Sequence, residues 1–206
     1  MWLSQFKLGR PGNEITFSIN PDSVQVKKSQ IASSKRVLSG HLVKRVFRTE
    51  FPTISLGGKF FTEAQADAMS SLLAVTDTHL SFIVRDDMTM TGEQNFPSNG
   101  GATVTLQENS ATLLSAALVA AGAAGSITVT GVFDNAGLTG TNYYTGGSYA
   151  DATRTITLGT PLATSTACYC TYVYTGWLVS MSEMSYQAQG GWVDVMPYSG
   201  WNLIGV

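Results

Sequence analysis

Residue types that support catalysis or metal binding are sparse in this sequence. His41 and His79 are its only histidines, and Cys168 and Cys170 are its only cysteines. The two cysteines share one face of a strand-like stretch, and an extended chain holds them in a poor geometry for a disulfide. They are typical of small core residues or free thiols. Because no further ligands follow in a recognised spacing, the sequence predicts neither a metal site nor a cofactor.

Paired carboxylates and glycine-rich loops give no stronger signal. Asp86 and Asp87 are adjacent, but calcium needs six or more oxygen ligands. Glu50 and Glu183 are candidates for a glycosidase-type carboxylate pair, yet no spacing selects a partner for either. The two glycines at 57–58 lack the flanking residues of a phosphate-binding loop, and no nucleophile elbow is present. The sequence therefore predicts a protein that is not an enzyme.

Three tyrosines cluster in the segment NYYTGGSYADATRTITL, residues 142–158. Tyr143, Tyr144 and Tyr149 have rings that could stack on sugars, and the asparagine and glycines around them are turn formers. After Arg154, threonines alternate with apolar residues as in a strand. The favoured interpretation is the tip of a long β-hairpin whose tyrosines make an outward contact. The alternative is a carbohydrate-binding loop.

Basic residues are concentrated in the first half of the chain. Eleven of the twelve Lys and Arg residues lie within residues 1–85, although the net charge is −2 and only 13% of residues are charged. The overall charge argues against a nucleic-acid binder. A subunit contact or a charged surface is favoured instead, because long Lys and Arg side chains both pair and pack. The predicted subunit-contact residues are Lys27, Lys28, Lys35, Arg36, Lys44, Arg45 and Arg48.

The elements that must position these residues are mainly strands. Alternation in ITFSINPDSVQV (15–26) predicts two strands separated by a turn at Asn20-Pro21-Asp22, since proline lacks an N–H and fixes φ. The polar, basic stretch 27–40 is interpreted as a mobile loop or a long arm. Further strands are predicted at 41–51, 53–61, 79–87, 102–106, 126–133, 154–159, 167–181 and 190–195.

One segment of the chain, residues 62–75, predicts a helix. Thr62 is expected to cap its N-terminus, with Glu63 and Asp67 near the positive end of the helix dipole. Its expected buried stripe consists of Ala64, Ala68, Leu72 and Val75, supported by Met69 and Leu73. Residues 110–122 form either a helix or a buried strand, because their periodicity does not decide. Residues 93–103 are interpreted as a linker.

Several loose motifs resemble those of the distal tail and baseplate-hub proteins of long-tailed bacteriophages. They cover residues 15–87, about a third of the chain. The motifs are an Asn-Pro turn, an I-x-L-x-G strand, a helix rich in small residues and an L-x-F-x-x-x-D strand. Here they correspond to Asn20-Pro21, Ile54/Leu56/Gly57, Ala64–Leu73 and Leu80/Phe82/Asp86.

This resemblance implies a tail-protein β-sandwich or barrel-like domain with one flanking α-helix. Residues 1–92 and 166–206 would form the ring-building sandwich, and residues 93–165 a β-rich insertion. The implied function is a structural subunit of the phage tail tip. It assembles into a ring, hexameric in the family, that continues the tail tube and docks hub or receptor-binding proteins.

The implied partners are other copies of the chain and neighbouring tail-tube and tail-tip proteins. DNA only passes through the channel. No stretch approaches 18 uninterrupted apolar residues, so no membrane insertion is predicted. The expected location is the virion tail, after synthesis in the host cytoplasm. The alternatives are a tail-tube subunit, which shares this plan, and a carbohydrate-binding module centred on the three tyrosines.

Overall fold

The computed structural model describes residues 2–27, 30–36, 42–49, 52–60, 62–164, 166–186 and 196–206. In chain order, its strands are β1 (Trp2–Arg10), β2 (Asn13–Thr16), β3 (Ser23–Lys27), β4 (Gln30–Arg36), β5 (Leu42–Thr49), β6 (Thr53–Phe60), β7 (Leu80–Asn95), β8 (Pro97–Ser98), β9 (Thr103–Thr105), β10 (Ile127–Phe133), β11 (Ser148–Ala150), β12 (Thr155–Thr157), β13 (Cys168–Tyr186) and β14 (Met196–Gly205). The helices are α1 (Glu63–Ser70) and α2 (Ser110–Ala120), and short 3-10 turns cover Ser71–Ala74, Asn99–Gly101 and Asp151–Thr153.

Eight of these strands form one antiparallel sheet that curls into a half-barrel. The strand order is β2-β1-β7-β13-β14-β6-β3, and β10 pairs with β13 beside this path. A second, four-stranded sheet has the order β11-β12-β9-β8. This architecture confirms the predicted fold class, a mainly β, sandwich- or barrel-like domain.

The two longest strands, β7 and β13, form the centre of the main sheet. They pair from Leu80 opposite Val179 to Asn95 opposite Cys168, with two shifts of register on the way. Such bulges bend a strand and increase its twist. At Gly176 a Cβ atom would overlap the carbonyl oxygen of Phe82, so only glycine allows the strands to approach this closely. The bulges and this glycine account for the curl of the sheet.

The core lies on the concave side of the curled sheet. In β13, every second side chain points into this core. Cys168, Cys170, Tyr172 and Tyr174 are all buried, as expected for alternate residues of one strand. From the other half of the sheet, Trp201 is fully buried, and its ring lies 5.7 Å from that of Phe17. Each such large side chain contributes roughly 1.5–3 kcal/mol to folding.

Helix α1 flanks this core, and its predicted N-cap is confirmed. The Thr62 hydroxyl accepts a hydrogen bond from the backbone N–H of Gln65. The predicted stripe is partly wrong. Ala66, Met69 and Leu72 are buried, whereas Ala64 is exposed and Leu73 is 38% exposed. The helix ends after two turns and tightens into a 3-10 turn, so the positions four residues apart do not stay on one face.

Between β7 and β13 the chain forms the second sheet and helix α2. Residues 110–120, left open by the sequence, are helical, and Asn109 caps the helix with a reciprocal bond to Thr112. The predicted linker at 93–103 is wrong, because β7 continues to Asn95 and β8, a turn and β9 follow at once. Since β10 pairs with β13, the segment also contributes to the main sheet. The division at residues 93 and 165 stays a prediction.

Of the two interpretations of residues 27–40, the described residues 30–36 fit the long arm and not the mobile loop. Residues 30–36 form β4, which pairs antiparallel with β5 from Gln30 opposite Thr49 to Arg36 opposite Leu42. The strands β3 and β6 of the same hairpin pair within the main sheet. The predicted last strand at 190–195 lies outside the described residues, and β14 follows it.

Candidate assembly interface

Strands β4 and β5 form a two-stranded ribbon, here called the arm (residues 30–36 and 42–49). Register places Ser33 opposite Arg45 and Ser34 opposite Lys44. Among the described strands, the arm pairs with no third strand. The sequence of both strands contains no Asp or Glu. Because unpaired strand edges are templates for pairing with another chain, the arm is suited to a contact between molecules.

The predicted subunit-contact residues belong to this hairpin. Lys27 is exposed at the end of β3, and Lys28 lies outside the described residues. The structure describes the backbone positions of the other five within the arm: Lys35 and Arg36 in β4, and Lys44, Arg45 and Arg48 in β5. It therefore brings the basic positions onto one hairpin, and their role in subunit contact stays a prediction.

Strand β3 is an end strand of the main sheet. Among the described strands it pairs with β6 alone, and its residues are exposed apart from the half-buried Val24. Val26 is 37% exposed although its partner Ile54 is fully buried. The apolar interior of the half-barrel therefore opens to solvent beside β3.

At this opening lies a groove of about 270 Å³. The Asn20 side chain holds one wall in place, because its Oδ1 accepts from the Phe6 N–H at 2.6 Å. Its Nδ2 donates to the carbonyl oxygens of Leu3 and Ser4, at 3.2 Å each. These bonds satisfy backbone groups of β1 where β2 has diverged from it. The groove is lined by Phe6, Asn20, Pro21, Asp22 and Val24.

The electrostatics of the groove are set by Asp22. Its side chain is exposed, and none of the ion pairs among the described residues includes it. The buried Tyr198 lies near Asp22, and its ring contacts that of Trp201 edge-on, with 5.4 Å between the ring centroids. Burial, and then the charge of Asp22, raise the pKa of the Tyr198 hydroxyl above its ordinary value. The groove thus places the exposed side chain of Asp22 beside the half-buried Pro21 and Val24.

The three tyrosines of the predicted outward contact pack partly against the core. The Tyr143 hydroxyl donates to Asp134 at 3.2 Å, and burial and this bond raise its pKa. Burial, and then the charge of Asp151, raise the pKa of Tyr149. A hairpin is present, since β11 pairs with β12, but its strands are only three residues long and it turns at Asp151–Thr153, so the predicted long hairpin with the tyrosines at its tip is wrong. Half-buried rings offer less surface for stacking on a sugar, and the outward contact stays a prediction.

Of the candidate residues for chemistry, His41 and Glu50 lie outside the described residues, and the others are spread over the fold. Nδ1 of His79 lies 3.0 Å from the Ser180 hydroxyl at the surface. Asp87 pairs with Arg85 at 2.7 Å. Cys168 is buried, and its Sγ lies 3.4 Å from the carbonyl oxygen of Asn95. These groups do not meet at one cleft, so no catalytic arrangement emerges from them.

A polar cluster that the sequence did not reveal joins β7, β13 and the start of α2. The Glu93 carboxylate accepts four hydrogen bonds, from the Tyr172 hydroxyl, the Asn95 and Asn109 amides and the Gln107 backbone N–H. Burial, and then the charge of Glu93, raise the pKa of Tyr172, so it stays a donor. The one sequence pattern that could have indicated this cluster is the helix-capping pair Asn109-x-x-Thr112. We call Glu93, Asn95, Gln107, Asn109 and Tyr172 the polar clamp.

The described residues contain no group of three or more His, Cys, Asp or Glu side chains that could hold a metal ion. No helix in this part of the chain is long and apolar enough to cross a membrane.

Comparison with known proteins identifies no relative of this chain. The chain matches no family model, no curated protein and no solved structure. Three features therefore bear on the function: the arm, the exposed edge of β3 and the adjoining groove.

Proposed function

We propose that the protein is a structural subunit of a phage tail tip, a distal-tail or baseplate ring protein. Copies of the chain join into a ring that continues the tail tube and docks hub or receptor-binding proteins. The observation that carries this proposal is the arm, a two-stranded basic ribbon that pairs with no other described strand. The proposed class of protein, a phage tail protein, follows from the resemblance of residues 15–87 to tail proteins.

The physical support is that the molecule exposes strand edges and carries little charge. Both β2 and β3 are end strands of the main sheet, in addition to the arm. A monomer with several open edges is prone to uncontrolled pairing, and closure into a ring removes such edges. The 13% of charged residues is about half of the usual share, which suits a subunit covered on several sides.

The proposed partners follow from this role. The chain contacts further copies of itself in a ring, hexameric by the resemblance, and neighbouring tail-tube and tail-tip proteins. DNA passes through the channel without being read. The proposed site of action is the virion tail, with no cofactor and no reaction.

The test is the native mass of the purified protein by light scattering, with negative-stain images of the same fractions. We expect a closed ring of fixed mass. Open filaments would assign the chain to the tail tube instead. A monomer at every concentration, with binding to glycans, would replace the proposal by the carbohydrate-binding module.

The arm is tested by replacing Lys44, Arg45 and Arg48 with alanine. We expect the ring to dissociate while the monomer keeps its circular dichroism and melting temperature, because the arm contributes to contacts between copies. The matched control is the pair Lys7→Ala and Lys59→Ala, which removes exposed charges elsewhere on the sheet. An unchanged ring in the arm variant would remove these residues from the interface.

A further inference from the structure

The groove beside β3 has the chemistry to hold one particular kind of side chain. Pro21 and Val24, both half-buried, supply an apolar wall, the core residue Phe6 is only 4% exposed there, and the exposed Asp22 lines the same groove. A Lys or Arg side chain presents the matching surface, an aliphatic stem with a cation at its end. At about 270 Å³ the groove lies just below the ~300–1,000 Å³ of pockets for small molecules. Its size therefore favours a single side chain over a free ligand.

A strand can lie next to this groove. The edge of β3 away from β6 pairs with no described strand, so its backbone groups are available for pairing. In strand addition, backbone hydrogen bonds supply affinity and pockets for alternate side chains supply specificity. The β3 edge and the groove together offer both components within a few residues of each other.

The chain itself carries a ribbon of complementary charge. The two strands of the arm hold five basic residues and no acidic residue. Within one molecule the arm starts at the end of β3 that is remote from the groove, since Lys27 lies five residues beyond Asp22, roughly 16 Å along a strand. The charge match therefore favours the arm of another molecule as the occupant.

We propose that the groove and the β3 edge receive the arm of a second copy, with a Lys or Arg of that arm laid along Pro21 and Val24 and paired with Asp22. This inference rests on the assembly proposed above and names the surface that accepts the arm. The contact joins two different surfaces, so it is heterologous. Repeated from copy to copy, it generates a closed ring if the rotation closes.

The test reverses the charge on each side of the contact. In one variant Asp22→Lys places a cation at the rim, and in the other Lys35→Glu, Lys44→Glu and Arg45→Glu together make the arm acidic overall. Each variant alone should need at least about tenfold more protein to assemble, about 1.4 kcal/mol per contact. Mixed in equal amounts, the two variants should assemble again, because every groove then finds an arm of opposite charge.

The matched control is Glu183→Lys, which makes the same charge change at an exposed position on β13. It should assemble as the unmodified chain does. Circular dichroism and the melting temperature establish that each variant is folded, and Asp22→Asn provides a milder change at the same position. We expect Asp22→Asn to weaken assembly less than Asp22→Lys.

The outcomes separate the two proposals. A monomeric unmodified chain refutes the ring itself. A ring that forms normally with Asp22→Lys overturns only the groove contact and leaves the groove to a different tail protein. Two variants that stay apart when mixed also overturn the contact, because a direct pairing of opposite charges requires their rescue.

Discussion

Replacing Glu93 with glutamine should destabilise the fold far more than the loss of one surface charge. The carboxylate accepts from Gln107 N–H at 2.8 Å and Asn95 Nδ2 at 3.0 Å through Oε1. Through Oε2 it accepts from the Tyr172 hydroxyl at 2.8 Å and Asn109 Nδ2 at 3.3 Å. Whichever way the new amide is turned, its NH₂ group faces two donors.

The size of the effect follows from the number of bonds affected. A hydrogen bond to a charged group contributes about 1.5–3 kcal/mol, and a donor left without an acceptor costs about 1–3 kcal/mol. The Tyr172 hydroxyl can rotate to accept from the new amide, which recovers part of the loss. We therefore expect the free energy of unfolding to fall by roughly 2–4 kcal/mol.

Urea denaturation of Glu93→Gln, Tyr172→Phe and the double variant measures this loss. Because both side chains belong to the polar clamp, the double variant should lose at least ~1 kcal/mol less than the sum of the single losses. Glu108→Gln is the matched control. Its carboxylate is 59% exposed in an ion pair with Arg154, and such pairs contribute about 0.2–1 kcal/mol.

Two results would refute this reasoning. If Glu93→Gln and Glu108→Gln were equally mild, the four hydrogen bonds would not stabilise the fold. If the losses of Glu93→Gln and Tyr172→Phe simply added, the two groups would act independently and the clamp would not be a unit.

Two other changes should also lower the free energy of unfolding, in urea denaturation of the full chain. Asn20→Ala removes three hydrogen bonds to β1 and should cost about 1–3 kcal/mol, and a loss below ~0.5 kcal/mol would contradict this role of the side chain. Gly101→Ala should cost more than ~3 kcal/mol, because φ is +86° and a Cβ would overlap the carbonyl oxygen of Leu162. The neighbouring Gly100→Ala, at φ +67° with open space around it, should cost only ~1–2 kcal/mol, and equal losses at both positions would contradict the overlap.

A buried face made some strands predictable, but β1 and β14 were not predicted although Leu8 and Trp201 are buried in them. In β13 the alternation of Cys168, Cys170, Tyr172 and Tyr174 is visible in the sequence, and these residues are all buried. The sequence left helix α2 ambiguous because its own apolar and small residues lie on every face of the helix. Leu114 and Leu118 pack on Leu178, so tertiary contacts decide what periodicity does not.

Where partners are distant in sequence, local composition misled the prediction. Glycine, proline and asparagine after Glu93 suggest a linker, yet Asn95 pairs with Cys168, seventy-three residues later. The groove was not predictable for the same reason. Phe6, Asp22 and Val24 come from a strand, a turn and a second strand, and only the folded sheet brings them together.

The unbroken course of β7 and β13 has a mechanical consequence. Both strands run from the half-barrel into the region of β10 with two bulges but no intervening loop, and their ladder extends from Leu80 to Asn95. A pull on the segment between the two strands acts on Asn95 and Cys168 at the same end of this ladder, so it draws β7 and β13 in the same direction. It therefore loads in shear the hydrogen bonds to the flanking strands β1 and β14, and many of these would have to break together.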